Sequence, residues 1–157
     1  MRHMENTCLR MLAYRPPRIA ATMLIVAALT QIALPLTSLY LPSFLFAGTA
    51  LGLLGFSIMI RAWWLFRQRE TAICPTSVTT FLITDDVYAL TRNPMYLGMT
   101  LLQIGIGLNL TNPWIAILAP VSMLLVYLIA IRPEEIYLSD KFGEPYIDYL
   151  TKTRRWI

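Results

Sequence analysis

The sequence predicts an all-α polytopic membrane protein with four transmembrane helices, the last two a helical hairpin, and a cytoplasmic C-terminal helical segment. Three observations carry this. Of 157 residues, 57% are hydrophobic and 14% charged, and the mean hydropathy is +0.57, a composition that fits a small membrane protein. Long runs are free of charge, whereas Lys, Arg, Asp and Glu fall between or beside them. The 13 basic residues all fall on one side of the resulting spans, which the positive-inside rule makes cytoplasmic, with both termini on that side.

A spanning helix needs about 20 apolar residues, and Ile19–Leu41 supplies the first. The basic stretch Met1–Arg18 precedes it, but the run is longer than a signal peptide's and lacks an A-x-A-like cleavage site, so it is expected to stay attached. Pro35 kinks this helix or marks its end. Gln31, a lone polar group, is expected to hydrogen-bond to a neighbouring helix. Leu39 to Ser43 is too short for an outer domain, so the first two spans are expected to pair as a tight antiparallel hairpin.

The second span, Ser43–Phe66, carries Gly48, Gly52 and Gly55; the first two form a small-x-x-x-small pattern that admits another helix closely. Trp63 and Trp64 suit the membrane interface, and Arg61 can snorkel to the same level. Arg67–Asn93 is the longest polar connection. Its stretch F-L-I-T-D-D-V-Y-A-L is partly apolar and is expected to form an ordered lid, with Asp85 and Asp86 either serving the lid or capping a short helix at Val87.

Leu97–Leu110 and Trp114–Ile131 are shorter spans joined by the turn L-T-N-P at 110–113. Arg92 and Asn93 stand at the head of the third, with Pro94 placed to start its first turn, where a missing N–H costs nothing. A helix mouth of this kind can hold a carboxylate or phosphate. After the fourth span Pro133 suits the first turn of a new helix, Glu134 and Glu135 complement its dipole, and Gly143 stops it. Pro145 starts a further short helix on which Tyr146 and Tyr149 share a face. The chain reads as one integral-membrane domain over 1–157: an amphiphilic N-terminus and two spans (1–66), a cytoplasmic loop (67–93), and a hairpin with C-terminal helices (94–157).

The net charge of +4 needs no nucleic acid to explain it, because a basic membrane face suits anionic headgroups. Cys8 and Cys74 lie on the expected cytoplasmic side, where thiols stay reduced, and their spacing is not that of a metal site. No P-loop, G-x-G-x-x-G, H-E-x-x-H or G-x-S-x-G motif is present, and the one histidine, His3, is in the tail. Histidine general-base chemistry and a dedicated metal site are therefore not expected. Two cytoplasmic clusters remain: Arg92, Asn93 and Tyr96 entering the third span, and Arg132, Glu134, Glu135, Tyr146 and Tyr149 leaving the fourth. Taken as structure alone they form interfacial salt bridges between Arg92 or Arg132 and Glu134 or Glu135; taken together they form a site.

The wording T-R-N-P-M-Y-L-G, then an apolar hairpin, then R-P-E-E-x-Y-L-x-x-K-F-G-x-x-Y-x-x-Y-x-x-x-x-R-R-W resembles the integral-membrane methyltransferases of the isoprenylcysteine carboxyl methyltransferase and phospholipid methyltransferase group. The resemblance runs from Thr71 to the carboxyl end and takes in T-x-x-x-P at Thr71–Pro75 and L-I-T-D-D-V-Y at Leu82–Tyr88. It implies that the C-terminal half holds S-adenosylmethionine at the cytoplasmic membrane face while a lipophilic or lipid-modified acceptor, an isoprenylcysteine-like carboxylate or a lipid amine, enters from the bilayer. Arg92, Asn93, Pro94, Tyr96 and Gly98 match the cofactor-binding R-H/N-P-x-Y-x-G block. Glu134 and Glu135 match the E-E pair with Arg132 before it, and Phe142, Gly143, Tyr146 and Tyr149 match F-G-x-x-Y-x-x-Y. The expected roles are a cofactor anchored by Glu134 or Glu135, Arg132 orienting it or an acidic acceptor, with Arg132 and Glu135 as the catalytic candidates, and a pocket shaped by Asn93 and Tyr96.

Two positions depart from the family pattern. Asn93 stands where many relatives have His, which removes a titrating imidazole but keeps an amide able to hydrogen-bond cofactor or backbone. Asp86 stands where Gly is common before V-Y. Two rival readings stand beside the methyltransferase. A membrane sterol-type reductase would need NADPH and a basic pocket, which Arg92, Arg154 and Arg155 can supply; a scaffold or transporter would be expected to place polar groups near mid-membrane, where Gln31 and Gln103 are the candidates.

Overall fold

The apolar runs become helices. The computed structural model describes residues 15–36, 42–69 and 81–157, and every regular element among them is helical. Helix α1 is Arg15–Ala33 and α2 is Pro42–Gln68; a single turn, α3 (Val87–Leu90), precedes α4 (Pro94–Asn109). Helix α5 (Pro113–Val126) passes through a π turn at Tyr127–Ile131 into α6 (Arg132–Phe142), and α7 is Glu144–Lys152. His3, Cys8, Cys74, the T-x-x-x-P block at Thr71–Pro75, residues 70–80 of the polar connection before the expected lid, and most of the turn after α1 lie outside the described residues.

Three stretches are long and apolar enough to cross a membrane: Pro16–Ala33, Phe44–Gln68 and Pro113–Phe142. The pattern of apolar runs predicts four. Helix α4 has 16 residues, roughly 24 Å at about 1.5 Å per residue, against a hydrocarbon core of about 30 Å. The fourth run, in turn, does not end at Ile131, because the backbone stays helical from Pro113 to Phe142. A proline inside a helix clashes with the carbonyl four residues back. For Pro133 that carbonyl belongs to Ile129, within the π turn, where the ladder is looser and Arg132 N–H bonds to Tyr127 O.

The core is set by glycine. A Cβ added to Gly105 would sit 2.6 Å from the Gly48 carbonyl oxygen, and one added to Gly98 would sit 2.5 Å from that of Gly55. The backbones of α2 and α4 therefore touch, and the small-residue face expected at Gly48 and Gly52 has its partner in α4 and extends to Gly55. Helix α1 lies instead on α5. The expected hairpin of the first two spans is thus replaced by two separate pairings, since α2 finds its closest surface on α4. Ile19, Tyr96, Tyr127 and Trp156 pack around buried Val126, Ala130 and Ile131, which ties α1, α4 and the carboxyl end to one point.

Of the two readings of Pro35, the structure bears out the helix end, since α1 stops at Ala33. Gln31 donates to the Leu36 carbonyl at 3.1 Å, within its own turn rather than to another helix. Arg61, expected to snorkel to the interface, donates to both carboxylate oxygens of Asp86.

Candidate functional site

Pro94 is the first residue of α4, as the R-N-P wording predicts. Asn93 does not cap that helix with its side chain; its Nδ2 donates to the Arg155 carbonyl at 3.2 Å, beside Thr91 Oγ1 at 3.0 Å. Arg92 N–H donates to the Arg154 carbonyl at 3.0 Å. The head of α4 thus clamps the backbone that follows α7. An amide serves this purpose without titrating.

Adjacent residues on a helix point about 100° apart, so Glu134 and Glu135 meet different surroundings. The Tyr96 hydroxyl donates to Glu134 Oε2 over a long 3.4 Å. Glu135 accepts from Arg155 Nε and Nη2 at 3.0 and 2.9 Å, and Arg92 Nη1 is 3.6 Å from its Oε1. The side chains of Arg92 and Glu135 are 12% and 17% exposed, so this salt bridge, the structural alternative read from the sequence, is mostly buried. None of the ion pairs among the described residues uses Glu134.

Helix α7 turns Tyr146 and Tyr149 inward, both buried, with ring centroids 6.1 Å apart. Tyr149 donates its hydroxyl hydrogen to the Tyr88 carbonyl at 2.6 Å, which fastens α7 to α3. Tyr88 meets Phe66 of α2 edge to face at 5.9 Å. Burial holds the phenols of Tyr88, Tyr146 and Tyr149 above their ordinary titration range, so all three are neutral donors across physiological pH.

Asp86 explains its own departure from the family pattern. Its φ of 59° is the left-handed conformation that glycine adopts freely. Here the strain is offset locally, because its Oδ1 accepts from Val87 N–H at 2.8 Å and Arg61 grips the carboxylate. That hydrogen bond with Arg61 holds the Asp86 carboxyl below its usual value. Asp86 is therefore a cap for α3, and Asp85 pairs with Arg69 at 2.7 Å.

These elements enclose a cavity of about 210 Å³. Arg92, Asn93, Pro94, Tyr96, Glu134, Tyr146 and Tyr149, seven of the residues singled out from the sequence, line it. Glu135, Gly98, Phe142 and Arg132 do not: Glu135 faces Arg155, Gly98 packs on α2, and Arg132 is exposed. Sequence reasoning left out Tyr88, Phe66 and Tyr137, which add aromatic wall, and Pro16 and Pro17 of α1. Tyr88 stands in the L-I-T-D-D-V-Y block and Tyr137 in R-P-E-E-x-Y-L; Phe66, Pro16 and Pro17 have no signal beyond being apolar. Arg92 carries a further feature, since its buried Nε has no hydrogen-bond partner. One space thus combines a carboxylate, a guanidinium with a spare donor, and aromatic surface. Such a set suits a ligand that carries both signs of charge and a flat ring.

The model of the phospholipid methyltransferase family matches residues 43–145. The chain is 35% identical over 68 residues to protein-S-isoprenylcysteine O-methyltransferase B of Arabidopsis thaliana, covering 43% of this chain and 34% of the relative. It is 36% identical over 73 residues to the mouse protein-S-isoprenylcysteine O-methyltransferase, covering 46% and 26%. An uncharacterized protein of Haemophilus influenzae is 35% identical over 65 residues, which is 40% of this chain and 100% of that protein. The match spans about a third or less of the named methyltransferases. No solved structure matches.

Proposed function

We propose, for a chain that belongs to the phospholipid methyltransferase family, that it transfers a methyl group from S-adenosylmethionine to a lipophilic acceptor at the cytoplasmic face of a membrane. The observation that carries this reading is the cavity in which Arg92, Glu134 and the aromatic wall meet. The residues present fit the cofactor. A buried Nε on Arg92 lacks a partner and matches a methionine carboxylate. Glu134, with one long hydrogen bond, retains capacity for the methionine amine or ribose hydroxyls. Phe66, Tyr88 and Tyr146 offer faces for adenine.

When bound, S-adenosylmethionine supplies a methyl group on a sulfonium, which leaves as a neutral thioether once an acceptor lone pair has taken the methyl carbon. The chain's own part is to hold donor and acceptor in line and keep water out. Tyr96 sits against Glu134 and fixes the direction of its carboxylate. The buried neutral tyrosines close the wall without adding charge. Arg132, exposed at the start of α6, stands where an acidic acceptor headgroup would approach. The acceptor is an isoprenylcysteine-like carboxylate or a lipid amine.

In this reading α4 and α5 cross the bilayer as a hairpin, giving four spans, with thinning or neighbouring helices accommodating the short α4. Both termini and the cavity lie on the cytoplasmic side, where the basic residues collect. The test is calorimetry on the purified chain with S-adenosylhomocysteine and, separately, NADPH. Binding of the first and not the second supports the proposal. The reverse result supports a reductase, and binding of neither points to a scaffold or transporter.

A further inference from the structure

The paired glutamates of α6 look interchangeable in sequence, yet their surroundings divide them. Glu134 lines the cavity, whereas Glu135 accepts two hydrogen bonds from Arg155 and lies 3.6 Å from Arg92. Arg155 is held in its own right: its guanidinium lies 4.9 Å from the Tyr127 ring in the π turn, and its carbonyl receives Thr91 Oγ1 and Asn93 Nδ2. Trp156, next in sequence, packs on Val126, Ala130 and Ile131. Arg92 is thereby fixed at both ends, its backbone N–H on the Arg154 carbonyl and its Nη1 on Glu135.

We infer that Glu135 and Arg155 are positioning residues: together they hold the Arg92 guanidinium so that it presents a donor to the carboxylate of a ligand in the cavity, making the R-R-W carboxyl end a working part of the site. The inference rests on the S-adenosylmethionine reading above. The physical reason is directional. A guanidinium is a rigid planar fork, and a carboxylate and a second guanidinium gripping one edge of the network fix the orientation of the rest. Without Glu135, the Arg92 and Arg155 guanidiniums lose the carboxylate that both of them face and are left as like charges near one another.

The test uses two probes that differ in the groups Arg92 is assigned to meet. S-adenosylhomocysteine carries the amino-acid carboxylate, and 5′-methylthioadenosine lacks the whole amino-acid end. Affinities are measured by calorimetry on the full chain in detergent or nanodiscs for the unaltered protein, Glu135→Gln and Arg155→Ala. Each variant is expected to bind S-adenosylhomocysteine about tenfold more weakly, with 5′-methylthioadenosine affinity changed by less than about twofold, and the double variant is expected to lose little more than either single one. Arg155→Lys, which keeps the charge, is expected to recover part of the loss.

Equal weakening of both probes would assign Glu135 and Arg155 a merely structural role and overturn the inference while leaving the methyltransferase reading in place. Unchanged affinity for both probes would overturn it as well. If the unaltered chain bound neither probe, the reading and the inference would fall together.

Discussion

Gly98 belongs to the block that the family resemblance ties to cofactor, yet it lies on the far side of α4 from the cavity, and Gly98→Ala separates the two roles. The added Cβ would sit 2.5 Å from the Gly55 carbonyl oxygen and 2.6 Å from Met59 Cγ. The methionine can turn away, but the carbonyl belongs to the backbone of α2 and cannot. An ordinary carbon–oxygen contact needs roughly 3.3 Å or more, so α2 and α4 must part by something close to an ångström along a surface that also holds Gly48 against Gly105. Overpacking of this kind costs about 1–3 kcal/mol. At roughly 2–4 °C per kcal/mol for a chain of this size, the expected fall in melting temperature is about 4–8 °C for a cost near 2 kcal/mol. Intrinsic tryptophan fluorescence in detergent reads the melting, and calorimetry at a temperature where the variant is folded reads S-adenosylhomocysteine affinity. The expected result is a lower melting temperature with affinity changed by less than about threefold. An unaltered melting temperature with a large, selective loss of cofactor affinity would refute the reasoning and place Gly98 at the cofactor.

Glu134→Gln keeps the shape of the side chain but removes its charge; loss of a charge-assisted hydrogen bond worth about 1.5–3 kcal/mol predicts a fall in S-adenosylhomocysteine affinity of tenfold or more with little change in melting temperature, and affinity within about twofold of the original would defeat the assignment. Tyr149→Phe leaves the Tyr88 carbonyl without its 2.6 Å donor, at about 1–3 kcal/mol, so amide exchange across α3 should quicken by at least about fivefold while α2 and α4 stay protected. The buried phenols of Tyr88, Tyr146 and Tyr149, whose titration is pushed upward by burial, contribute stability that is complete below the unfolded value of about 10 and is lost as pH rises beyond it. Melting temperature should therefore fall as pH rises from about 10 to about 11.5, and a flat profile there would contradict the burial of these rings.

Much of the site was legible because proline and glycine punctuate it. Pro94 and Pro113 each begin a helix, and Gly143, at φ 59°, separates α6 from α7. The three-residue spacing of Tyr146 and Tyr149 placed both on the buried face of α7. What sequence could not supply is direction. Nothing in E-E says which carboxylate faces the cavity, since that depends on the phase of α6, and the phase is set by a π turn at Tyr127–Ile131 that has no compositional mark. The clamp on the carboxyl end was hidden for a similar reason, because its acceptors are the backbone carbonyls of Arg154 and Arg155. Asp86 was read as a break in pattern; it is a non-glycine residue held at positive φ by Arg61 and the Val87 amide.

If one cavity serves both a charged methyl donor and a greasy acceptor, the methyl group must pass between them. The purified chain in liposomes is given S-adenosylmethionine labelled in its methyl group, with either a prenylated cysteine or an aminophospholipid in the bilayer. Label is expected to pass into one of these lipid fractions, and Arg92→Ala combined with Glu134→Ala is expected to abolish the transfer. Folded protein that binds the donor yet moves no label to either acceptor, or a double variant that transfers as fast as the original, would contradict the proposal.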